Sequence, residues 1–268
     1  MTMTNHDSTP EAFWLPWGWN GFWNNLWNNV WNNVWNNVWN DLSSHGVDNA
    51  GPSSSGGFYF GGGNFPTIEN GTNGPDVLTG SNFGDILDGG SGNDTLKGYG
   101  GGDVLKGGSG NDILHGGAGN DALYANWGHD KLFGGSGNDA LFAGAGNDHV
   151  YGGTGADALF GQDHNDKLFG GAGADVLFGG LGEDTLTGGT GPDTFGFSEN
   201  HGNDVITDFD ITEDVLDFAL QPSLNSFEDV QASATQTQDG LIIDTGEGTV
   251  LLVGIDLADL AYVQMDFD

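Results

Sequence analysis

The sequence has no cysteine, no arginine and only 4 lysines, set against 38 acidic residues. Without cysteine, disulfides and thiolate metal or redox chemistry play no part. Nucleic acid and anionic membrane surfaces are poor partners for so few cations, because both are bound through lysine and arginine, and no nucleic acid is expected. No run of about 18 apolar residues occurs that could span a bilayer. The first thirty residues lack lysine, arginine and the apolar stretch of a signal peptide, so an ordinary cleaved amino-terminal signal is not expected. There is no H-E-x-x-H zinc motif, and the 7 histidines are scattered. The chain is therefore not expected to be an enzyme.

What is abundant is glycine, 51 residues of 268, and negative charge, formally -34. A compact fold with that charge repels itself unless cations neutralise it, so metal ions are the natural partners. Fourteen consecutive nine-residue blocks run from Gly71 to Gly196. Each has aspartate at its sixth position: Asp76, Asp85, Asp94, Asp103, Asp112, Asp121, Asp130, Asp139, Asp148, Asp157, Asp166, Asp175, Asp184 and Asp193. Each also has an apolar residue at its eighth position, leucine except for Val150 and Phe195.

The chain divides into three parts. Residues 1–66 are Trp- and Asn-rich and end in a Gly/Ser linker from Gly51 to Gly63. Residues 67–196 hold the array, and residues 197–268 lose the glycine period. The last part contains apolar runs at Asp204-Val205-Ile206, Leu241-Ile242-Ile243 and Val250-Leu251-Leu252-Val253, which read as strands of a closing cap. A short helix is expected near Leu257 to Leu260. Terminal caps are what a stack of repeats needs for solubility.

In a block such as Gly107-Gly108-Ser109-Gly110-Asn111-Asp112-Ile113-Leu114-His115, the first six residues are turn formers and the last three predict a short strand. The middle residue of that strand points inward and makes a thin core. Two blocks form one coil of 18 residues, and seven coils stacked at the strand spacing give a rod on the order of 34 Å. Each sixth-position aspartate then faces the one 18 residues later, as Asp103, Asp121 and Asp139 do. Facing carboxylates demand a cation, and glycine carbonyls complete an all-oxygen cage that favours Ca²⁺.

The array resembles the RTX nonapeptide repeat, G-G-x-G-x-D-x-U-x, also known as the hemolysin-type calcium-binding repeat. The block from Gly134 to Phe142 matches it at every defined position. The resemblance implies an all-β parallel β-roll holding several Ca²⁺ ions. Each ion is bound by the carbonyls of positions two and four and the aspartate of one turn. Positions one and three and the aspartate of the turn above supply the rest. On this sequence, one site joins Gly117, Gly119 and Asp121 to Gly134, Ser136 and Asp139. Another joins Gly90, Gly92 and Asp94 to Gly107, Ser109 and Asp112. The segment after the array resembles the carboxy-terminal cap of type I secretion substrates, which leave the cell unfolded and uncleaved through transient contact with the secretion machinery. That implies a secreted, extracellular or surface-associated protein.

The turns at Ser81 to Gly84, Ala125 to His129 and Gln162 to Asn165 depart most from the motif, and Tyr99 replaces a glycine. The edge of the roll carrying Asp103, Asp121, Asp139, Asp157, Asp175 and Asp193 is thus expected to bind Ca²⁺ better than the edge carrying Asp130 and Asp166. Lys131 and Lys167 either partly replace a missing cation there or are simply solvated.

Position nine is aromatic seven times running: Tyr124, Phe133, Phe142, Tyr151, Phe160, Phe169 and Phe178. Alternation places these on two outward faces, where they predict exposed ladders that stack internally or dock a partner. Trp23, Trp27, Trp31, Trp35 and Trp39 recur every four residues, a period better suited to a helix than a strand. Lack of basic residues argues against an interfacial membrane helix, leaving self-association or docking on the roll. The functional expectation is a secreted Ca²⁺-binding structural protein, similar to small biofilm-matrix RTX proteins, that folds and self-assembles or adheres on meeting extracellular Ca²⁺. The alternatives are a Ca²⁺-dependent module binding extracellular polysaccharide and a membrane-active, toxin-like protein.

Overall fold

The nine-residue period places consecutive short strands in opposite walls of a parallel β-solenoid of about eight turns. A computed structural model of the protein describes residues 66–221 and 223–267. The strands Ile86–Ser91, Val104–Ser109, Ala122–Trp127, Ala140–Ala145, Ala158–Asp163 and Val176–Leu181 lie side by side in one sheet. The strands Thr95–Gly100, Ile113–Ala118, Lys131–Ser136, His149–Thr154, Lys167–Ala172 and Thr185–Thr190 form the other. Register is locked at one coil, so Leu105 pairs with Leu123 and Leu123 with Leu141.

The strands are six residues long, twice the expected length. Each joins positions seven to nine of one block to positions one to three of the next, leaving only positions four to six as the turn. The ladder resumes past the unpaired position-one glycine because the position-two residue takes a positive φ, 112° at Gly108, which glycine adopts without strain: Gly108 pairs with Gly90 and Asn126. Alternation along a six-residue strand points position one inward as well as position eight. Since position one is usually glycine, the core remains a single column of side chains on each wall, with Leu87, Leu105, Leu123 and Leu141 fully buried.

Beyond the array, Val215–Asp217 and Gln264–Asp266 extend the first sheet. Gly202–Ile206 and Gly248–Val253 extend the second, before Gly240–Asp244 and Ala234–Gln236 turn it antiparallel. Phe195, Phe197 and Phe218 seal that end of the core. The three expected cap strands are all present. The helix expected near Leu257 to Leu260 is a 3-10 turn at Asp259–Tyr262.

An unforeseen helix spans Phe227–Ser233, started by Ser226, whose hydroxyl accepts the Asp229 N–H. It buries only Val230, too little for an amphipathic period to show in the sequence. Among the described residues no helix is long and apolar enough to cross a membrane. The Trp/Asn-rich segment, expected to be helical, and the Gly/Ser linker lie outside the described residues.

Candidate metal centre

Each sixth-position aspartate sits at the end of a turn with its side chain directed between coils. From Asp85 to Asp193 these residues are almost wholly buried. Their two oxygens have different roles. Oδ1 accepts the main-chain N–H of the aspartate one coil earlier: Asp121 N to Asp139 Oδ1 is 2.8 Å, and Asp94 N to Asp112 Oδ1 is 2.8 Å. Oδ2 of Asp94, Asp103, Asp112, Asp121, Asp130, Asp139, Asp148, Asp157, Asp166, Asp175 and Asp184 is buried without any hydrogen-bond partner. Folded proteins leave very few such atoms, and each costs about 1–3 kcal/mol or more for a charged group.

The fit of a hard cation to these orphaned oxygens shows at the glycines. A methyl group placed on Gly134 would lie 2.5 Å from Asp139 Oδ2 and 2.5 Å from the Gly152 carbonyl oxygen. One on Gly116 would lie 2.3 Å from Asp121 Oδ2 and 2.7 Å from the Gly134 carbonyl. The Gly117 and Gly119 carbonyls point the other way, toward Gly135 and Gly137. The carboxylate oxygen and a position-one carbonyl of the next coil therefore border one space, while the position-two and position-four carbonyls lie against the matching glycines of the next coil. Gly90, Gly92 and Gly107 repeat the arrangement beside Asp94 and Asp112.

The Ser136 and Ser109 carbonyls each already accept a backbone N–H, from Gly119 and Gly92, with one lone pair still available. Among the described residues no three His, Cys, Asp or Glu side chains gather to hold a metal. The donor set is carboxylate plus main-chain carbonyl, which suits Ca²⁺ rather than a transition metal.

Without a cation the columns resist ionising. Burial pushes the Asp103 and Asp166 carboxyls up to about 9, with help from the carboxylates of Asp121 and of Asp148 and Asp184 respectively. Burial likewise raises Asp121, Asp130, Asp139, Asp157, Asp184 and Asp193 to about 7, and Asp112 and Asp175 to about 6. A cation between coils reverses the preference by stabilising the charged form.

The ends of the columns are closed by protein groups. The Thr72 and Ser81 N–H groups donate to Asp76 Oδ2 and Asp85 Oδ2, at 2.6 and 2.5 Å, so these two oxygens are satisfied within their own turns. At the far end Asp184 N donates to Asp204 Oδ1 and Asp193 N to Asp214 Oδ1. Asp204 and Asp214 thus continue the columns into the cap, 20 and 21 residues on rather than 18, which hid them from a strict period. Asp204 Oδ2 is held 2.7 Å from His201 Nδ1, whose Nε2 meets the Thr245 hydroxyl at 2.8 Å.

A second ladder also escaped sequence reasoning. The position-five side-chain oxygens of Asn93, Asn111, Asn120 and Asn138 accept the main-chain N–H one coil later, and His129 substitutes its Nδ1 for an asparagine oxygen. The recurring Asn-Asp pair was its visible trace.

The irregular turns keep their shape at a cost. Asn126, Gln162 and His164 hold φ values of 79, 82 and 82°, and Tyr99 one of 76°, where glycine is the usual occupant. Such a conformation costs a side-chain-bearing residue about 1–2 kcal/mol. Ala125 and Ala143 stand at position one, fully buried, and put a methyl where Gly107 and Gly134 leave room beside the aspartate oxygen. Their own blocks contain Asp130 and Asp148. Lys131 and Lys167 are exposed, and the only lysine ion pair among the described residues is Lys106 with Asp88 at 3.2 Å. Of the two readings of Lys131 and Lys167, that of solvated side chains therefore fits: strand alternation points both outward, away from the carboxylate columns.

Comparison with known proteins agrees with this geometry. A model of the RTX calcium-binding nonapeptide repeat matches residues 70–105, 97–132, 133–163 and 160–195. Comparison with curated proteins gives no match. Among solved structures, the chain is similar to the extracellular lipase LipA from Serratia marcescens at 20% identity, over 85% of this chain and 42% of that one, with a TM-score of 0.40. It is also similar to a subunit of the Azotobacter vinelandii mannuronan C5-epimerase at 27% identity, over 51% of this chain and 79% of that one, with a TM-score of 0.28. The chain spans less than half the length of the lipase. Calcium binding follows from the repeats, and across residues 70–195 the chain is an RTX repeat protein.

Proposed function

We propose that the chain is a secreted, non-enzymatic structural or adhesive protein whose roll folds when Ca²⁺ enters the two aspartate columns. The observation that carries this reading is the set of buried, partnerless Oδ2 atoms aligned coil after coil. The ligands are the sixth-position aspartates with the glycine and serine carbonyls of adjoining turns, and the column through Asp103, Asp121, Asp139, Asp157 and Asp175 binds more tightly than that through Asp130 and Asp166. The thin leucine core offsets little of the ordering entropy of so many glycines, so metal binding is coupled to folding. Extracellular Ca²⁺ modules bind at about 10⁻⁴ to 10⁻³ M, so the chain stays unfolded in the cytosol, passes a type I exporter and folds outside.

Self-association is supported by the amino-terminal end of the roll. Among the described residues no strand pairs beyond Ile68–Asn70 or Val77–Thr79, and an open strand edge is a template for another chain. Light scattering with circular dichroism across a Ca²⁺ titration tests the proposal. Folding followed by concentration-dependent association supports it, and association that ignores Ca²⁺ contradicts it.

A second reading, binding of an acidic extracellular polysaccharide, rests on the outer face of the sheet containing Lys131–Ser136. Lys97, Lys131 and Lys167, three of the four lysines, lie there beside the stacked rings of Phe133, Tyr151 and Phe169. Retention on a soluble oligouronate in Ca²⁺ that is lost in a Lys131→Ala/Lys167→Ala double variant favours it.

A further inference from the structure

The two outer faces of the roll differ. On the lysine-bearing face the ladder residues Phe133, Tyr151 and Phe169 remain partly exposed, flanked by Lys131, His149 and Lys167. On the opposite face Tyr124, Phe142, Phe160 and Phe178 are flanked by Ala122, Ala140, Ala158 and Val176, an uncharged strip bounded at one end by Lys106, which pairs in register with Tyr124 and is neutralised by Asp88.

Side chains on this second face point outward, and although Tyr124 and Phe142 are partly exposed, Phe160, Phe178 and the alanines beside them are shielded from water. Ala140 and Ala158 are 1 and 2% exposed, and Phe160 and Phe178 are 8 and 7% exposed. This corrects the expectation of exposure for Phe160 and Phe178. Stacking accounts for only part of it. Rings at 4.9 Å with 6° between planes cover each other's faces, but their outer edges still point away from the sheet. Tyr151, stacked at 5.0 and 4.9 Å in the other ladder, stays partly open. Phe160 packs in a cluster with Ala158, Phe178, Phe142 and Val176, and Phe178 also lies over Gly196. Burial also pushes the Tyr124 hydroxyl up to about 12.

We propose that the Trp23–Trp39 segment of the same chain docks on this strip, laying its tryptophans across the edges of the Tyr124–Phe178 ladder. The segment is uncharged and apolar at every fourth residue, matching an uncharged aromatic strip and mismatching the lysine-bearing face. The chain enters the roll through Ile68–Asn70, the edge strand of the very sheet that carries the strip. From there the ladder begins three strands away and ends six away, about 14 to 29 Å. The 26 residues from 40 to 65 can reach up to about 85 Å. Tethering through a linker of this length gives an effective concentration on the order of millimolar, so the segment's own roll outcompetes a second copy in dilute solution. Docking follows folding of the roll and so needs Ca²⁺, but it does not depend on what the folded protein serves.

Eight of the 9 tryptophans precede residue 40, and the remaining one, Trp127, is exposed on the roll. A full-length Trp127→Phe protein therefore reports on the segment through acrylamide quenching of its tryptophan fluorescence. In Ca²⁺ the quenching constant is expected to fall at least twofold relative to chelator, equally at low and high micromolar protein. Phe160→Lys is expected to restore the chelator value, whereas Phe169→Lys on the other face leaves protection intact. Circular dichroism in Ca²⁺ confirms that each variant still forms the roll, and a variant that fails is replaced by Phe142→Lys or Tyr151→Lys on the same face. Equal quenching with and without Ca²⁺ in a folded roll, insensitivity to the lysine at Phe160, or protection that grows with protein concentration overturns the proposal.

Discussion

Asp139→Asn separates a metal ligand from a packing residue. Asp139 Oδ1 accepts the Asp121 N–H at 2.8 Å, and its own N–H donates to Asp157 Oδ1 at 2.8 Å. Asparagine keeps an acceptor oxygen for the first bond and the backbone donor for the second, while removing the charge on the partnerless Oδ2. Asp139 borders the coil of Asp121 and that of Asp157, so under the proposed binding scheme two ions depend on it. A site bound only in the folded state stabilises by RT ln(1 + [Ca²⁺]/Kd), or about 1.4 kcal/mol at ten times Kd. Each further tenfold rise in free Ca²⁺ adds about 1.4 kcal/mol per site. The destabilisation caused by Asp139→Asn is therefore expected to grow by up to about 2.7 kcal/mol per decade of Ca²⁺. Leu141→Ala, two residues away and fully buried, is expected to cost about 2–5 kcal/mol at every Ca²⁺ concentration. Urea unfolding followed by circular dichroism at two or more buffered Ca²⁺ levels measures both. A penalty for Asp139→Asn that stays constant with Ca²⁺ would refute the assignment of its carboxylate as a ligand.

Three other outcomes follow from the same geometry. In chelator, the buried aspartates have folded-state pKa values of about 6 to 9 against 3.8, so their contribution is fully present below about pH 4 and is lost as pH rises through that range. Metal-free β signal should therefore be greatest near pH 4 and fall toward pH 9, and a rise instead would be inconsistent with buried columns. Ala143→Gly removes the methyl beside Asp148 and should increase the Ca²⁺ bound per chain in equilibrium dialysis, while Gly134→Ala should decrease it; no change in either would dismiss the steric account of the weaker edge. Gly137→Ala, at a φ of 126° with its methyl 1.8 Å from the Gly119 carbonyl, should raise the Ca²⁺ midpoint of folding severalfold, and a wild-type midpoint would show that the coil spacing is not set there.

Much of the architecture was legible because one nine-residue interval encodes it. Leu123 and Leu141 sit inward for the same reason that Asp121 and Asp139 face each other: 18 residues return the chain to the same point of the coil. Strand length was less legible, since Gly107 and Gly108 read as turn formers, yet the positive φ of Gly108 lets the ladder continue past them to Ser109. The asymmetry of each carboxylate, one oxygen bound to a neighbour's N–H and the other left for a cation, depends on inter-coil geometry that spacing does not carry. Asp204 and Asp214 were hidden by insertions of two and three residues relative to the period. The helix at Phe227–Ser233 left only Ser226 and Asp229 as traces, too short a pattern to stand out.

The claim on which the account rests is that cations in the aspartate columns hold the roll together. Far-ultraviolet circular dichroism of the full chain at pH 7.5, titrated from excess chelator into 10 mM Ca²⁺, tests it directly. The expected result is a disordered spectrum in chelator and a cooperative rise of β signal centred between about 0.1 and 1 mM Ca²⁺. A full β spectrum in chelator at that pH, unchanged by Ca²⁺, would contradict it.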